Sequence, residues 1–161
     1  MKHLILIRHA ESTEKVTGTT DEQRELTTNG IQQAALAGVF LRDKIHIDII
    51  ISSTANRARL TTQIIAEQLG LSANDIEEQP DLYQASVGTL FNLLKSTDQH
   101  QNIAVVGHNP TLSYFAEFIT DSTVDEMRPA CVLMFKVDIG NWKDLAKGTA
   151  TLLDRYEAFA V

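Results

Sequence analysis

A single cysteine stands among the 161 residues, so no internal disulfide can form. Its neighbours Ala130, Val132, Leu133 and Met134 mark Cys131 as a packed strand residue and not as a nucleophile. No Pro/Gly/Ser-rich linker, internal repeat or low-complexity tract interrupts the chain. Nothing therefore marks a domain boundary, and residues 1–161 are expected to form one domain, long enough to bury a substantial core. No apolar run approaches the length needed to span a bilayer. The opening Met1, Lys2, His3 leads through a short apolar run into Arg8, without the longer apolar region and cleavage site of a signal peptide, so cytoplasmic residence is expected. Lys/Arg clusters are missing as well, and together with a net charge of −7 this argues against nucleic-acid or anionic-membrane binding. No HxH, HExxH or paired-cysteine spacing points to a metal, and His3, His46 and His100 read as surface or structural residues.

What is present is an alternation of strand and helix signals, which argues for an α/β fold. Leu4, Ile5, Leu6 and Ile7 are four consecutive β-favouring apolar residues, as in a strand covered on both faces, and Arg8 and His9 follow where it would emerge. After a polar loop, Thr27 is expected to cap a helix carrying Ile31, Ala34, Ala35, Val39 and Phe40. A second buried strand is expected over 48–52, then a helix over 55–69 ended by Gly70 in a left-handed conformation. An extended segment over 76–83 and a helix over 90–95 precede a third core strand over 102–106. Asn109 as N-cap and Pro110 in the first turn would start a helix running to Ile119. Strands over 132–137 and 149–156, edge or antiparallel, complete the pattern.

Three core strands thus each deliver polar residues just past their carboxyl ends, the edge where open α/β sheets bind ligands. Arg8 and His9 follow the first, Ser52 and Ser53 lead to Arg57 after the second, and His108 follows the third. Two arginines and two histidines converging there can neutralise a phosphoryl group, whose transition-state charge is spread over three oxygens. Against an acidic surface such a site is a local positive well for an anion. Around it, Ser12 has two readings, phosphate ligand or cap of the turn after the strand, the turn being preferred. Asn109 can bond phosphate through its backbone N–H as well as cap a helix. Thr27 reads as a cap, Gly30 as a point of close helix packing, and Arg59 as solvated.

Four blocks carry a family resemblance: Arg8 His9 Ala10 Glu11 Ser12; Arg24 Glu25 Leu26 Thr27 Thr28 Asn29 Gly30; Ser52 Ser53 through Arg57 Ala58 to Thr61; and Val106 Gly107 His108 Asn109 Pro110. In this order they resemble the histidine phosphatase superfamily, over nearly the whole chain. The short length, the segment Leu82 Tyr83 Gln84 Ala85 Ser86 and the region of Trp142 resemble its SixA-like phosphohistidine phosphatases. The resemblance implies a phosphoglycerate mutase-like fold, a three-layer α/β/α sandwich with a mostly parallel central sheet and an antiparallel edge strand. It implies a phosphohistidine intermediate with His9 as nucleophile, Arg8, Arg57 and His108 completing the phosphate pocket, and no metal or cofactor. Physical reasoning supports these roles. Attack needs a neutral imidazole nitrogen, two guanidinium groups should depress the His9 pKa, and a hydrogen bond from its other nitrogen would fix the tautomer. His108, if protonated beside a bound dianion, would donate to a phosphoryl oxygen, while the arginines stay charged.

The departures bear on substrate. Ala10 replaces a common glycine, and Thr54 a proline whose loss costs loop rigidity only. Gln84 stands where many relatives place a glutamate, in the spacing from Leu82 to Gly88, and an amide cannot serve as general acid. An alkoxide leaving group needs a proton, whereas imidazole leaves far more readily, so a P–N substrate is favoured unless Glu11 or another loop carboxylate moves in. The expected activity is metal-independent removal of phosphate from a phosphohistidine on a protein, such as a phosphotransfer domain or phosphocarrier. The alternatives are a broad small-molecule phosphomonoesterase and a non-catalytic phosphohistidine-binding module.

Overall fold

The computed structural model describes residues 1–97 and 99–158. In chain order the main elements are β1 (Lys2–Arg8), α1 (Thr28–Arg42), β2 (Ile49–Ser52), α2 (Asn56–Leu69), β3 (Ile76–Glu78), α3 (Val87–Lys95), β4 (Asn102–Gly107), α4 (Thr111–Thr120), β5 (Val132–Val137) and β6 (Ala150–Tyr156). The strands form one sheet in the order β3-β2-β4-β1-β5-β6. The first four run parallel, β5 runs against β1, and β6 forms the antiparallel edge on β5. This is the expected three-layer α/β arrangement, with the reversed strand β5 one position in from the edge.

The layers follow from side-chain alternation along each strand. Leu4, Leu6, Ile103, Val105, Leu133 and Phe135 pack on one face with Leu90 and Leu94 of α3 and Leu112, Phe115 and Ile119 of α4. Ile5, Ile7, Ala104, Val106, Val132 and Met134 pack on the other with Ala37 and Leu41 of α1 and Ala58, Ile65 and Ala66 of α2. Both faces of β1 are therefore covered, and Leu4, Ile5, Leu6 and Ile7 are all fully buried. Cys131 is buried too, and burial pushes its thiol up to about 11, as suits a packing residue. No helix among the described residues is long and apolar enough to cross a membrane.

Several local expectations are corrected. Helix α1 does start at its Thr27 cap, whose hydroxyl accepts from Gly30 N at 3.0 Å, but its buried face is Gly30, Gln33, Ala34, Ala37, Gly38 and Leu41. Ile31 and Val39 face solvent because α1 lies so close to α2 that small residues must line the contact: a Cβ on Gly38 would stand 2.7 Å from Gln68 Cβ. The expected extended segment shrinks to β3, since the chain turns into a 3-10 helix at Pro80–Leu82, where proline has no N–H to give a ladder. Helix α3 begins three residues before expected, capped by Ser86, whose hydroxyl accepts from Thr89 N at 3.1 Å. Asn109 does not cap α4. Pro110 takes the N-cap position, and the Asn109 amide donates to the Met127 carbonyl at 2.7 Å while its oxygen accepts from the Ser113 hydroxyl at 3.0 Å. Gly70 ends α2 at φ 69° as expected.

Gly30 packs against the loop that leaves β1, not against a neighbouring helix. A Cβ there would stand 2.1 Å from the Glu11 carbonyl oxygen, so helix and loop are pressed together at backbone distance. Gly30→Ala is expected to destabilise the fold by about 1–3 kcal/mol, the usual range for overpacking. Urea denaturation would show this as a lower midpoint at constant m-value, and an unchanged midpoint would contradict the contact.

Candidate active site

Strand register sets the site. Arg8 pairs with Gly107 and Ser52 with Val106, so β1, β4 and β2 end at nearly the same level. One residue on, His9 N donates to the Gly107 carbonyl at 3.1 Å and Ser53 N to the Val106 carbonyl at 3.0 Å. Ala130 closes the third side: its N–H reaches both the Arg8 and the His9 carbonyls at 3.1 Å. It does so from φ 62°, a conformation that costs an L-residue about 1–2 kcal/mol. Ala10 N donates to the Thr61 hydroxyl at 3.0 Å, and that hydroxyl donates to the Arg57 carbonyl at 2.7 Å, which ties the first turn of α2 to the residue after His9.

His9 is only 8% exposed, its ring 5.2 Å from that of His108. Its Nδ1 lies 2.8 Å from the Ala10 carbonyl. A carbonyl only accepts, so Nδ1 carries the proton and Nε2 keeps its lone pair. Burial, more than the charges of His108, Arg57 and Arg8, pushes the His9 pKa down to about 3. The guanidinium groups thus act as expected but as minor contributors. His108 is held down to about 4, again chiefly by burial, then by Arg57, with Asp21 opposing. Its Nε2 pairs with the Ser53 hydroxyl at 2.8 Å.

Arg57 is nearly buried, and both of its terminal nitrogens are held by Asp21: Nη1 by the backbone carbonyl at 2.8 Å and Nη2 by carboxylate Oδ2 at 2.9 Å. The same Oδ2 accepts from the Tyr83 hydroxyl, and Oδ1 accepts from Arg24 Nη1 at 3.0 Å. These donors, the Tyr83 hydroxyl foremost, hold the Asp21 carboxyl well below the usual carboxylate range. Tyr83 also presents its ring edge-on to His108, centroids 5.7 Å apart, and lies under the Arg57 guanidinium at 5.9 Å. Arg8 donates from Nη1 to the Met127 carbonyl at 2.9 Å, while its Nε is buried with no hydrogen-bond partner among the described residues.

The structure thus brings His9, Arg8, Arg57 and His108 together and disperses the secondary candidates. Ser12 accepts from Arg24 Nη2 at 3.0 Å and bridges to Leu26, a loop role. Glu11 takes the Thr27 hydroxyl on its carboxylate at 2.8 Å. Gln84 is exposed, on a depression shared with Pro80, Asp81, Tyr83 and Thr89. Arg59, expected to be solvated, pairs with Glu78. Asp21 and Tyr83 were missed. Tyr83 stands beside Gln84 in the segment singled out, but Asp21 sits in a polar loop with no signal beyond its place three residues before Arg24. Among the described residues no group of three or more His, Cys, Asp or Glu side chains is placed to hold a metal ion.

A family model described as the histidine phosphatase superfamily, branch 1, matches residues 4–99. The chain belongs to that superfamily. An uncharacterized protein of Mycobacterium tuberculosis H37Rv is 32% identical over 158 residues, covering 91% of this chain and 96% of the relative. A 2,3-bisphosphoglycerate-dependent phosphoglycerate mutase of Nitrosococcus oceani is 31% identical over 71% of this chain but only 49% of the mutase. Among solved structures, a SixA phosphohistidine phosphatase candidate from Nakamurella multipartitia superposes with a TM-score of 0.82 at 26% identity, covering 99% of this chain and 97% of that one. A SixA protein histidine phosphatase complexed with tungstate shares the fold at TM-score 0.82 and 21% identity, over 96% of each chain. The protein is a phosphatase of the histidine phosphatase superfamily.

The two neutral histidines carry a pH signature. An unfolded histidine binds its proton near pH 6.5, whereas folded His9 and His108 do so only near about 3 and about 4. Between those limits the unfolded state binds more protons, so stability must fall as pH falls from 7 to 5. Urea midpoints at the two pH values should show the drop, and His9→Asn should shrink it. A midpoint higher at pH 5 would contradict the neutral pair.

Proposed function

We propose that this phosphatase removes the phosphoryl group from a phosphorylated histidine displayed on another protein, such as a phosphotransfer domain or phosphocarrier, through a covalent phosphohistidine intermediate on His9. The observation that carries the reading is the state of His9: its Nδ1 proton is committed to the Ala10 carbonyl, and its Nε2 lone pair is kept unprotonated beside Arg57 and His108. In this scheme Nε2 attacks phosphorus in line. Arg8, Arg57 and His108 gather the equatorial oxygens, and the leaving group departs on the side opposite His9. A bound dianion would favour protonated His108, which then donates to a phosphoryl oxygen. Water hydrolyses the phosphoenzyme, and no metal or cofactor takes part.

Support for a P–N substrate comes from what the acidic residues are doing. Gln84 is an amide, Glu11 is engaged by Thr27, and Asp21 is held as an anion, so none of them offers an acidic proton to a departing alkoxide. The likeness to SixA structures points the same way.

The test is incubation with a phosphorylated histidine phosphotransfer protein in the presence of a chelator. Phosphate release is expected, with an acid-labile label mapped to His9. His9→Ala should abolish turnover, and Arg57→Ala should lower kcat by about 10²–10³-fold, as loss of a donor to a charged transition state does. Full activity of His9→Ala would reject the scheme. Comparable turnover of small phosphomonoesters would favour the broad phosphomonoesterase, and tight phosphate binding without transfer to His9 would favour a binding module.

A further inference from the structure

The proposed transfer passes a phosphoryl group between two imidazoles, and their outer nitrogens pose the same problem. As His9 Nε2 bonds to phosphorus its ring gains positive charge, which the proton on Nδ1, held by the Ala10 carbonyl, delocalises. The substrate ring makes the reverse journey. It leaves most readily when its outer nitrogen carries a proton, because the P–N electron pair then returns to a neutral imidazole and no further proton is required. A protonated phosphohistidine is, however, a poor fit to a pocket already holding Arg8 and Arg57, both of which disfavour positive charge on His9 and His108. It needs an anion at the mouth.

Asp21 is such an anion. His9 lies nearly buried on the pocket floor, so an in-line leaving group must point outward. Asp21 reaches from Arg57 toward solvent, its side chain 41% exposed while the Arg57 it touches is 8% exposed, and its charge acts on His108. Its Oδ2 is used by Arg57 and Tyr83, whereas its Oδ1 takes Arg24 alone, leaving acceptor capacity on a carboxylate. Resting on the function proposed above, we infer that Asp21 is the leaving-group residue: its carboxylate accepts the outer N–H of the substrate imidazole and thereby selects phosphohistidine over phosphate esters. In the step itself the His9 Nε2 lone pair forms the new N–P bond. The old P–N bond breaks with its electron pair going to the substrate nitrogen, and the outer N–H stays on the departing imidazole, bonded to Asp21. An alkoxide, arriving without such a proton, meets only repulsion from the same carboxylate.

The experiment compares kcat/KM for the phosphohistidine of a phosphorylated histidine phosphotransfer protein and for an aryl phosphate whose leaving group departs unprotonated, in wild type, Asp21→Asn and Asp21→Glu. Were Asp21 only a brace for Arg57, both substrates would suffer alike. As the leaving-group residue, its change to Asn should lower the phosphohistidine-to-aryl ratio at least tenfold, and Asp21→Glu should recover part of it. An unchanged ratio in Asp21→Asn, or equal loss of the ratio in the two variants, overturns the assignment. A wild type active on the aryl phosphate but inactive on phosphohistidine rejects both this role and the function it rests on.

Discussion

Two backbone hydrogen bonds, His9 N to the Gly107 carbonyl and Ser53 N to the Val106 carbonyl, extend the parallel ladders one step past the strands proper. Because parallel strands in register end on the same side, this step places His9, Ser53 and His108 side by side, and the α2 turn carrying Arg57 begins directly above them. Everything chemical in the protein depends on that alignment. A slip of one residue in β1 would exchange its two buried faces, turning Leu4 and Leu6 toward α1 and α2, so the packing of both layers enforces the register that the site requires.

The site is cationic in composition yet sparing in actual charge. Of its two arginines and two histidines, the histidines are kept neutral by burial, which leaves an unprotonated Nε2 on His9 and spares the pocket two further positive charges. Of the two arginines that remain charged, Arg57 is gripped by Asp21 through backbone and side chain together, while Arg8 has the charge of Glu126 nearby. In a chain of net charge −7 the arginine pair still forms an anion-attracting well, and the rim carboxylate modulates what accompanies the phosphoryl group into it.

Much of this was legible in the residues themselves. The run from Leu4 to Ile7 ending in Arg8 and His9 marked β1, the cap at Thr27 and the stop at Gly70 marked helix ends, and the recurrence of Arg57 and His108 after two other strands marked the four central residues. Those signals are local and short-range, set by side-chain type and spacing. Legibility failed where a residue had two local readings. Asn109 looks like a helix cap by its position before proline, but the Met127 carbonyl and the Ser113 hydroxyl take its amide. Ile31 and Val39 look like core by their hydrophobicity, but the face of α1 turned inward is the one whose Gly38 lets α2 approach closely, and it leaves both outside.

By itself, then, the order of residues determined the α/β alternation, the polar strand ends and the amide character of Gln84, because each of these is a property of side-chain chemistry along a few consecutive positions. Only the tertiary structure decided that Asp21, Tyr83 and Arg57 meet across separations of 36 and 62 residues, that Glu11 is spent on Thr27, and that burial outweighs neighbouring charge in holding His9 neutral. Burial and long-range hydrogen bonding depend on which surfaces face each other after the chain has packed, and no local pattern encodes that.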